Sequence, residues 1–249
     1  MDVEYEREEG LARIYLNRPH RLNAMVPGLV EGLCRALDQA MEDGVRAAIL
    51  AGRGRAFCSG HDLKEEGEAL DDETVRRMVE RTQDVTRKVR AAPFPVIAAV
   101  HGYALGGGCE FALCSDLVIA ARNAMFGFPE VSVGLSVTGG ISHILPLAVG
   151  LARAKQMVFM GEYFSADQAL AWGLVNLVVE PEQLDHEAGR FAKKLMEQPP
   201  HAMAVAKRLF DRGPQVDLET ALELEVEGVF ATRGSIEAKT AAGRFRSRA

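Results

Sequence analysis

Apolar residues along this chain fall into short runs and helical stripes, separated by glycine-rich or charged connections. Residues 3–5 and 11–16 are alternating or apolar runs with a charged stretch and Gly10 between them, which predicts a β-hairpin. After Pro27-Gly28, Leu29, Leu33, Leu37 and Met41 recur at helical spacing, and Gly44 is the stop. Residues 46–51 read as a strand and residues 52–62 as a glycine-punctuated loop. Residues 71–90 read as a charged helix carrying Val75, Met78, Val79, Val85 and Val89. Buried strands are expected over residues 95–100 and 117–121, with a helix starting at Phe111 between them. Residues 123–130 read as a loop, and residues 142–149 and 152–160 as helical pieces broken at Gly150. Ser165 and Gln168 have capping-box spacing, and Gly173 closes the helix they open. Residues 174–179 are a last strand, after which the pattern is helical, with interruptions at Pro199-Pro200 and Gly213-Pro214.

Strands alternating with helices over residues 46–179 imply an α/β fold, a mainly parallel sheet covered by helices. The expected division is a core domain over residues 1–198 and a C-terminal helical subdomain over residues 199–249. At 249 residues and 48% hydrophobic content, the chain has ample material for one large core. A net charge of −6 and a pI near 5.6 argue against a nucleic-acid surface. The four cysteines form no CxxC pair, the N-terminus has no apolar signal region, and no apolar run approaches a membrane span. A soluble protein of the reducing cytoplasm is expected.

The chemistry concentrates in His101-Gly-Tyr-Ala-Leu-Gly-Gly-Gly-Cys-Glu110. Consecutive glycines between a strand and a helix leave backbone N–H groups uncovered by any Cβ, and such groups attract negative charge. A carboxylate, Glu110, follows at once. Alone, the glycine run is equally a tight turn, Glu110 a helix N-terminal charge, and Glu130 a solvated loop residue. Phosphate-loop, HExxH zinc and GxSxG motifs are absent, and the glycines do not have the GxGxxG spacing.

Three ordered motifs change that balance. Arg55-Ala-Phe-Cys-Ser-Gly-His-Asp-Leu-Lys64, then Val100 through Asp116 around the glycines, then Phe126-Gly-Phe-Pro-Glu-Val-Ser-Val-Gly134 together resemble the crotonase family, also called the enoyl-CoA hydratase/isomerase family. Leu16-Asn-Arg-Pro, Leu22-Asn-Ala24 and the helical tail extend the resemblance over nearly the whole chain. It implies a crotonase-type ββα spiral with a C-terminal helical subdomain. It also implies an oxyanion hole made by the backbone N–H groups of His61 and Gly107, so the His61 side chain need not be catalytic. Gly106 and Gly108 would let the backbone approach the thioester. Glu110 and Glu130 fall on the catalytic pair of the family's hydratases, one activating water for Cβ and the other supplying a proton to Cα. Coenzyme A contacts are implied for His20, Arg21, Ala24, Ala56, Asp62, Leu63 and Lys64, with Arg21 able to fork onto a phosphate.

Two departures stand out. Family hydratases often carry Pro-x-x-Gly-Gly after the second glutamate, whereas Gly134-Leu-Ser-Val-Thr-Gly-Gly140 lacks the proline and is one residue shorter, which points to an altered acyl pocket. Near the C-terminus, Ala242 stands where an aromatic residue often meets the adenine of a neighbouring subunit. The resulting expectation is an enoyl-CoA hydratase, a hydro-lyase needing no metal or redox cofactor, acting on an acyl-CoA substrate as a trimer or dimer of trimers. An enoyl-CoA double-bond isomerase and a noncatalytic acyl-CoA-binding protein are the alternatives.

Overall fold

The computed structural model describes residues 1–63 and 71–234. The expected hairpin is present. Strands β1 (Val3–Glu8) and β2 (Leu11–Leu16) pair antiparallel around Glu9 and Gly10, which both have positive φ, and β1 runs on through its charged residues. The strands that follow are β3 (Ala47–Gly52), β4 (Val96–Val100), β5 (Tyr103–Leu105), β6 (Leu117–Ala121), β7 (Met125–Gly127), β8 (Tyr163–Ser165) and β9 (Leu177–Val179). The larger sheet has the order β1-β2-β3-β4-β6-β9, and every pairing after the hairpin is parallel.

Helices α1 (Pro27–Glu42), α2 (Asp72–Ala91) and α3 (Gly107–Leu113) come first; α4 (Ile141–Val149), α5 (Leu151–Met160), α6 (Ala166–Ala171) and α7 (Leu184–Met196) follow; α8 (Pro200–Arg212) and α9 (Leu218–Thr232) end the described chain. Alternate residues of the central strands feed two cores. Ala47, Ile49, Ile97, Ala99, Ile119 and Ala121 pack with Leu184, Ala188 and Ala192 of α7. Ala48, Leu50, Ala98, Val100 and Ala120 join Leu29, Leu33 and Leu37 of α1 and Val85 and Val89 of α2. A sheet buried on both faces explains why its central strands are continuously apolar rather than alternating.

The sequence pattern missed a second, smaller sheet. β5 pairs parallel with β7, and β7 pairs antiparallel with β8. Three-residue strands are too short to show a period, so the stretches around 103–105 and 125–127 read as loops. α3 starts at Gly107 rather than Phe111, because glycine is a poor helix former and hides the helix start. β9 begins at Leu177, and the buried Leu174 and Val175 precede it outside the ladder. The capping box is present, Ser165 accepting from the Gln168 backbone while Gln168 reaches back to the Ser165 N–H.

At the C-terminal end, Lys207 of α8 is buried and donates to the carbonyls of Val89 and Phe94 and to Asp116, at 2.7, 3.0 and 2.7 Å. That ties α8 to the end of α2, the entry to β4 and the entry to β6. α9 has no buried residue, and its Leu218, Val226, Val229 and Phe230 are all more than half exposed. Ala242 lies outside the described residues.

Candidate active site

The site forms where three stretches are drawn against β5. The Phe57 N–H donates to the His101 carbonyl, Cys58 N–H to Tyr103, and Leu105 N–H back to Cys58, so residues 57–60 run beside β5 like a further strand. From the other side, the Met25 N–H donates to the Gly60 carbonyl (2.7 Å) and the Asp62 N–H to the Met25 carbonyl (3.0 Å). In a parallel bridge of this kind the intervening residue turns its own N–H to the opposite side. His61 is that residue, so its N–H faces away from Met25.

Gly60 and Gly106 touch. A Cβ on Gly106 would lie 3.8 Å from the Gly60 Cα, and one on Gly60 would lie 2.8 Å from the Leu105 carbonyl oxygen. His61 and Gly107, expected as the paired donors, are each the next residue after this contact. Gly106 has φ 51° and ψ −127°, a conformation for glycine, and it caps α3 with no side chain. Gly107 is half-buried between two buried glycines, and its N–H donates to no partner among the described residues. A Cβ on Gly108 would overlap the Cys58 carbonyl oxygen, so this glycine lets α3 pack on the 57–60 stretch.

Both glutamates are buried, Glu110 to 1% exposure and Glu130 to 8%. They flank the same glycines, since Glu130 Oε1 lies 3.1 Å from the Cβ position of Gly106, and Glu110 Oε2 lies 3.8 Å from that of Gly107. Their surroundings differ. Thr138 donates its N–H to Glu110 Oε1 and its hydroxyl to Glu110 Oε2, each at 2.5 Å. Burial pushes the Glu110 pKa up, and the two Thr138 donors pull it back. Glu130 accepts no hydrogen bond at either oxygen among the described residues. Burial raises its pKa to about 7; its own backbone N–H, near but out of hydrogen-bond geometry, offsets part of this, and the Glu110 charge adds to it. Burial raises both carboxylates, but among the described residues only Glu110 has hydrogen-bonded donors that hold it back, so the two are environmentally unequal, as an acid/base pair requires.

The described residues expected to contact coenzyme A lie on two stretches, 18–25 and 56–63, that hydrogen-bond to each other, and they differ in exposure. His20 and Arg21 are exposed on a 3₁₀ turn, Pro19–Arg21, and Leu63 is exposed beside His61. Ala24 and Ala56 are buried. The Ala24 carbonyl accepts from Arg18 and the Ala56 carbonyl from Asn23. Asp62 is buried and paired with Arg18 at 3.2 Å, so its carboxylate braces the backbone next to His61. Lys64 lies outside the described residues. Arg18, Thr138 and Thr86, whose hydroxyl holds the Gly139 carbonyl at 2.8 Å, escaped the sequence reading. Arg18 lies in the Leu16-Asn-Arg-Pro stretch, where nothing local marks it as buried, while Thr138 sits inside the altered 134–140 segment and could have been found there. Among the described residues, no group of three or more His, Cys, Asp or Glu side chains could hold a metal ion. The four cysteines are free and buried. No helix among the described residues is long and apolar enough to cross a membrane.

Two glutamates beside a glycine-lined turn could arise by coincidence of packing, but the match of the whole chain to a family model does not. The family model described as enoyl-CoA hydratase/isomerase matches residues 6–246. The chain belongs to the enoyl-CoA hydratase/isomerase family. Among curated members, the short-chain-enoyl-CoA hydratase of Clostridium acetobutylicum is 38% identical over 245 residues, covering 96% of this chain and 94% of that protein. The crotonyl-CoA hydratase of Syntrophomonas wolfei is 37% identical over the same length, with the same coverage. Among solved members, the enoyl-CoA hydratase of Bacillus anthracis superposes with a TM-score of 0.94 at 33% identity, covering 100% of this chain and 97% of that one. That of Mycobacterium smegmatis gives 0.94 at 34% identity, again covering 100% and 97%. The fold is thus the crotonase fold, with its mostly parallel sheet and C-terminal helices.

Proposed function

We propose that this protein hydrates a short 2-enoyl-CoA, adding water across the double bond conjugated to the thioester. With relatives named as hydratases over nearly its whole length, it is an enzyme of the hydro-lyase class. The observation that carries the mechanism is the unequal pair of buried glutamates beside Gly106 and Gly107.

In this reading the thioester oxygen accepts from the His61 and Gly107 N–H groups. Preorganised donors at such a position contribute about 3 kcal/mol each to the transition state. Ionised Glu110 takes a proton from water as its oxygen bonds to Cβ, and the π pair moves through Cα onto the thioester oxygen. The enolate then collapses, and Cα takes the proton of Glu130. A proton passes from Glu110 to Glu130, directly or through solvent, and the net change is the addition of water. No metal or redox cofactor enters, because the thioester is itself the electron sink. The relatives' names support a short acyl chain.

A homo-oligomer belongs to the same proposal, supported by exposed apolar residues on α5 and α9, among them Leu151, Phe159, Leu218 and Phe230. Light scattering tests it. A cytoplasmic location is supported by four unpaired thiols.

The test is incubation with crotonyl-CoA in oxygen-18 water. A 3-hydroxyacyl product carrying the label is expected. A shifted double bond without label would make the protein an isomerase, and binding without turnover on any acyl chain would make it a carrier.

A further inference from the structure

The geometry points to the Thr138 hydroxyl as a positioning residue that orients Glu110 and follows it through both of its protonation states. This rests on the hydratase reading above, with Glu110 as the base. A carboxylate held by one donor still turns about its terminal torsion, which is broad and two-fold. Thr138 removes that freedom by occupying both oxygens from a single residue, with its backbone N–H on Oε1 and its hydroxyl on Oε2.

Thr138 is itself held. The Ile141 N–H donates to its carbonyl at 3.0 Å, and the Thr86 hydroxyl of α2 fixes the next carbonyl, Gly139, at 2.8 Å. Gly139 has φ 58°, and a Cβ there would lie 2.8 Å from the Glu110 Cβ, so the segment turns directly over this glutamate. Upstream, the Leu135 N–H donates to the Glu130 carbonyl at 2.8 Å. One segment therefore runs from the second carboxylate to the clamp on the first.

The two halves of the clamp are chemically different. An N–H only donates, so it favours the carboxylate alone. A hydroxyl is a rotor with a donor and acceptor pairs. Before the reaction it donates to Glu110 Oε2. After Glu110 has taken the proton of water, the same oxygen of Thr138 can accept from the new carboxylic acid, with its own proton turned aside. The clamp then survives the proton transfer instead of breaking on it. The groups whose charges bear on this position are Glu130 on one side and the thiols of Cys58, Cys109 and Cys114 on the other, all three raised by burial and neutral.

Thr138→Val removes the hydroxyl and keeps both shape and N–H, whereas Thr138→Ser keeps the hydroxyl. With crotonyl-CoA as substrate, the valine variant should lose roughly 10- to 100-fold in kcat, as for a lost hydrogen bond to a charged group. Its KM should be unchanged, and the acidic limb of its kcat/KM profile should move to higher pH, because the ionised base has lost a donor. The serine variant should keep the wild-type rate and limb. Thr138→Ala repeats the comparison if the valine variant does not fold. A valine variant with wild-type kcat and limb, an effect confined to KM, or a serine variant as impaired as valine overturns the proposal. A wild type that hydrates no enoyl-CoA overturns the hydratase reading instead, and this one falls with it.

Discussion

Replacing Glu130 with glutamine should make the protein progressively more stable relative to wild type as pH rises. The carboxylate is 8% exposed and accepts no hydrogen bond among the described residues. Burial lifts its pKa from 4.5 to about 7. A group whose folded pKa lies above its unfolded one favours folding while protonated, and that contribution is lost as pH rises through the folded value. Below about pH 4.5 Glu130 is neutral in both states, and past about pH 7 the full penalty applies. At ~1.36 kcal/mol per pH unit, that penalty is about 3 kcal/mol. Glutamine carries no charge and pays none of it. Its own unpartnered amide adds a constant at every pH, which cancels when two pH values are compared. Urea unfolding of both proteins near pH 4 and near pH 9, at one protein concentration, should show the variant gaining about 3 kcal/mol relative to wild type between the two. In thermal unfolding this is a gain of about 6–12 °C. A stability difference that does not change with pH would refute a desolvated, protonatable Glu130.

The same group governs activity: kcat/KM should fall as pH rises through about 7, when Glu130 loses the proton it must give, and a flat alkaline profile would count against that role. Gly106→Ala forces a side chain into φ 51° with its Cβ 3.1 Å from Glu130 Oε1, so a loss of about 1–3 kcal/mol in stability and a drop in hydration are expected from denaturation and steady-state rates. Lys207→Met strands Asp116 and should cost about 3–5 kcal/mol by urea unfolding, part of it recovered in the double variant with Asp116→Asn.

Much of this was legible in the chain itself. The hairpin, the parallel strands, α1 and α2 follow from apolar period. The motifs marked both glutamates and the glycines between them. What escaped depends on contacts far apart in sequence. The small sheet is built from three-residue strands whose partners lie 22 and 36 or more positions away, as in Tyr103 with Met125 and Gly127 with Tyr163. The Arg18–Asp62 pair joins residues 44 positions apart, and no local pattern marks it as buried. The Thr138 clamp spans 28 positions. The close approach of Cys58 to Gly108 is visible only in three dimensions.

The central claim is that Glu110 and Glu130 act together on water and Cα. Hydration of crotonyl-CoA by Glu110→Gln and by Glu130→Gln tests it most directly, with both variants folded as judged by circular dichroism. Each substitution keeps the shape and removes the ionisable group, so each should lower kcat by roughly 10²- to 10⁴-fold. Undiminished turnover in both variants would contradict the account.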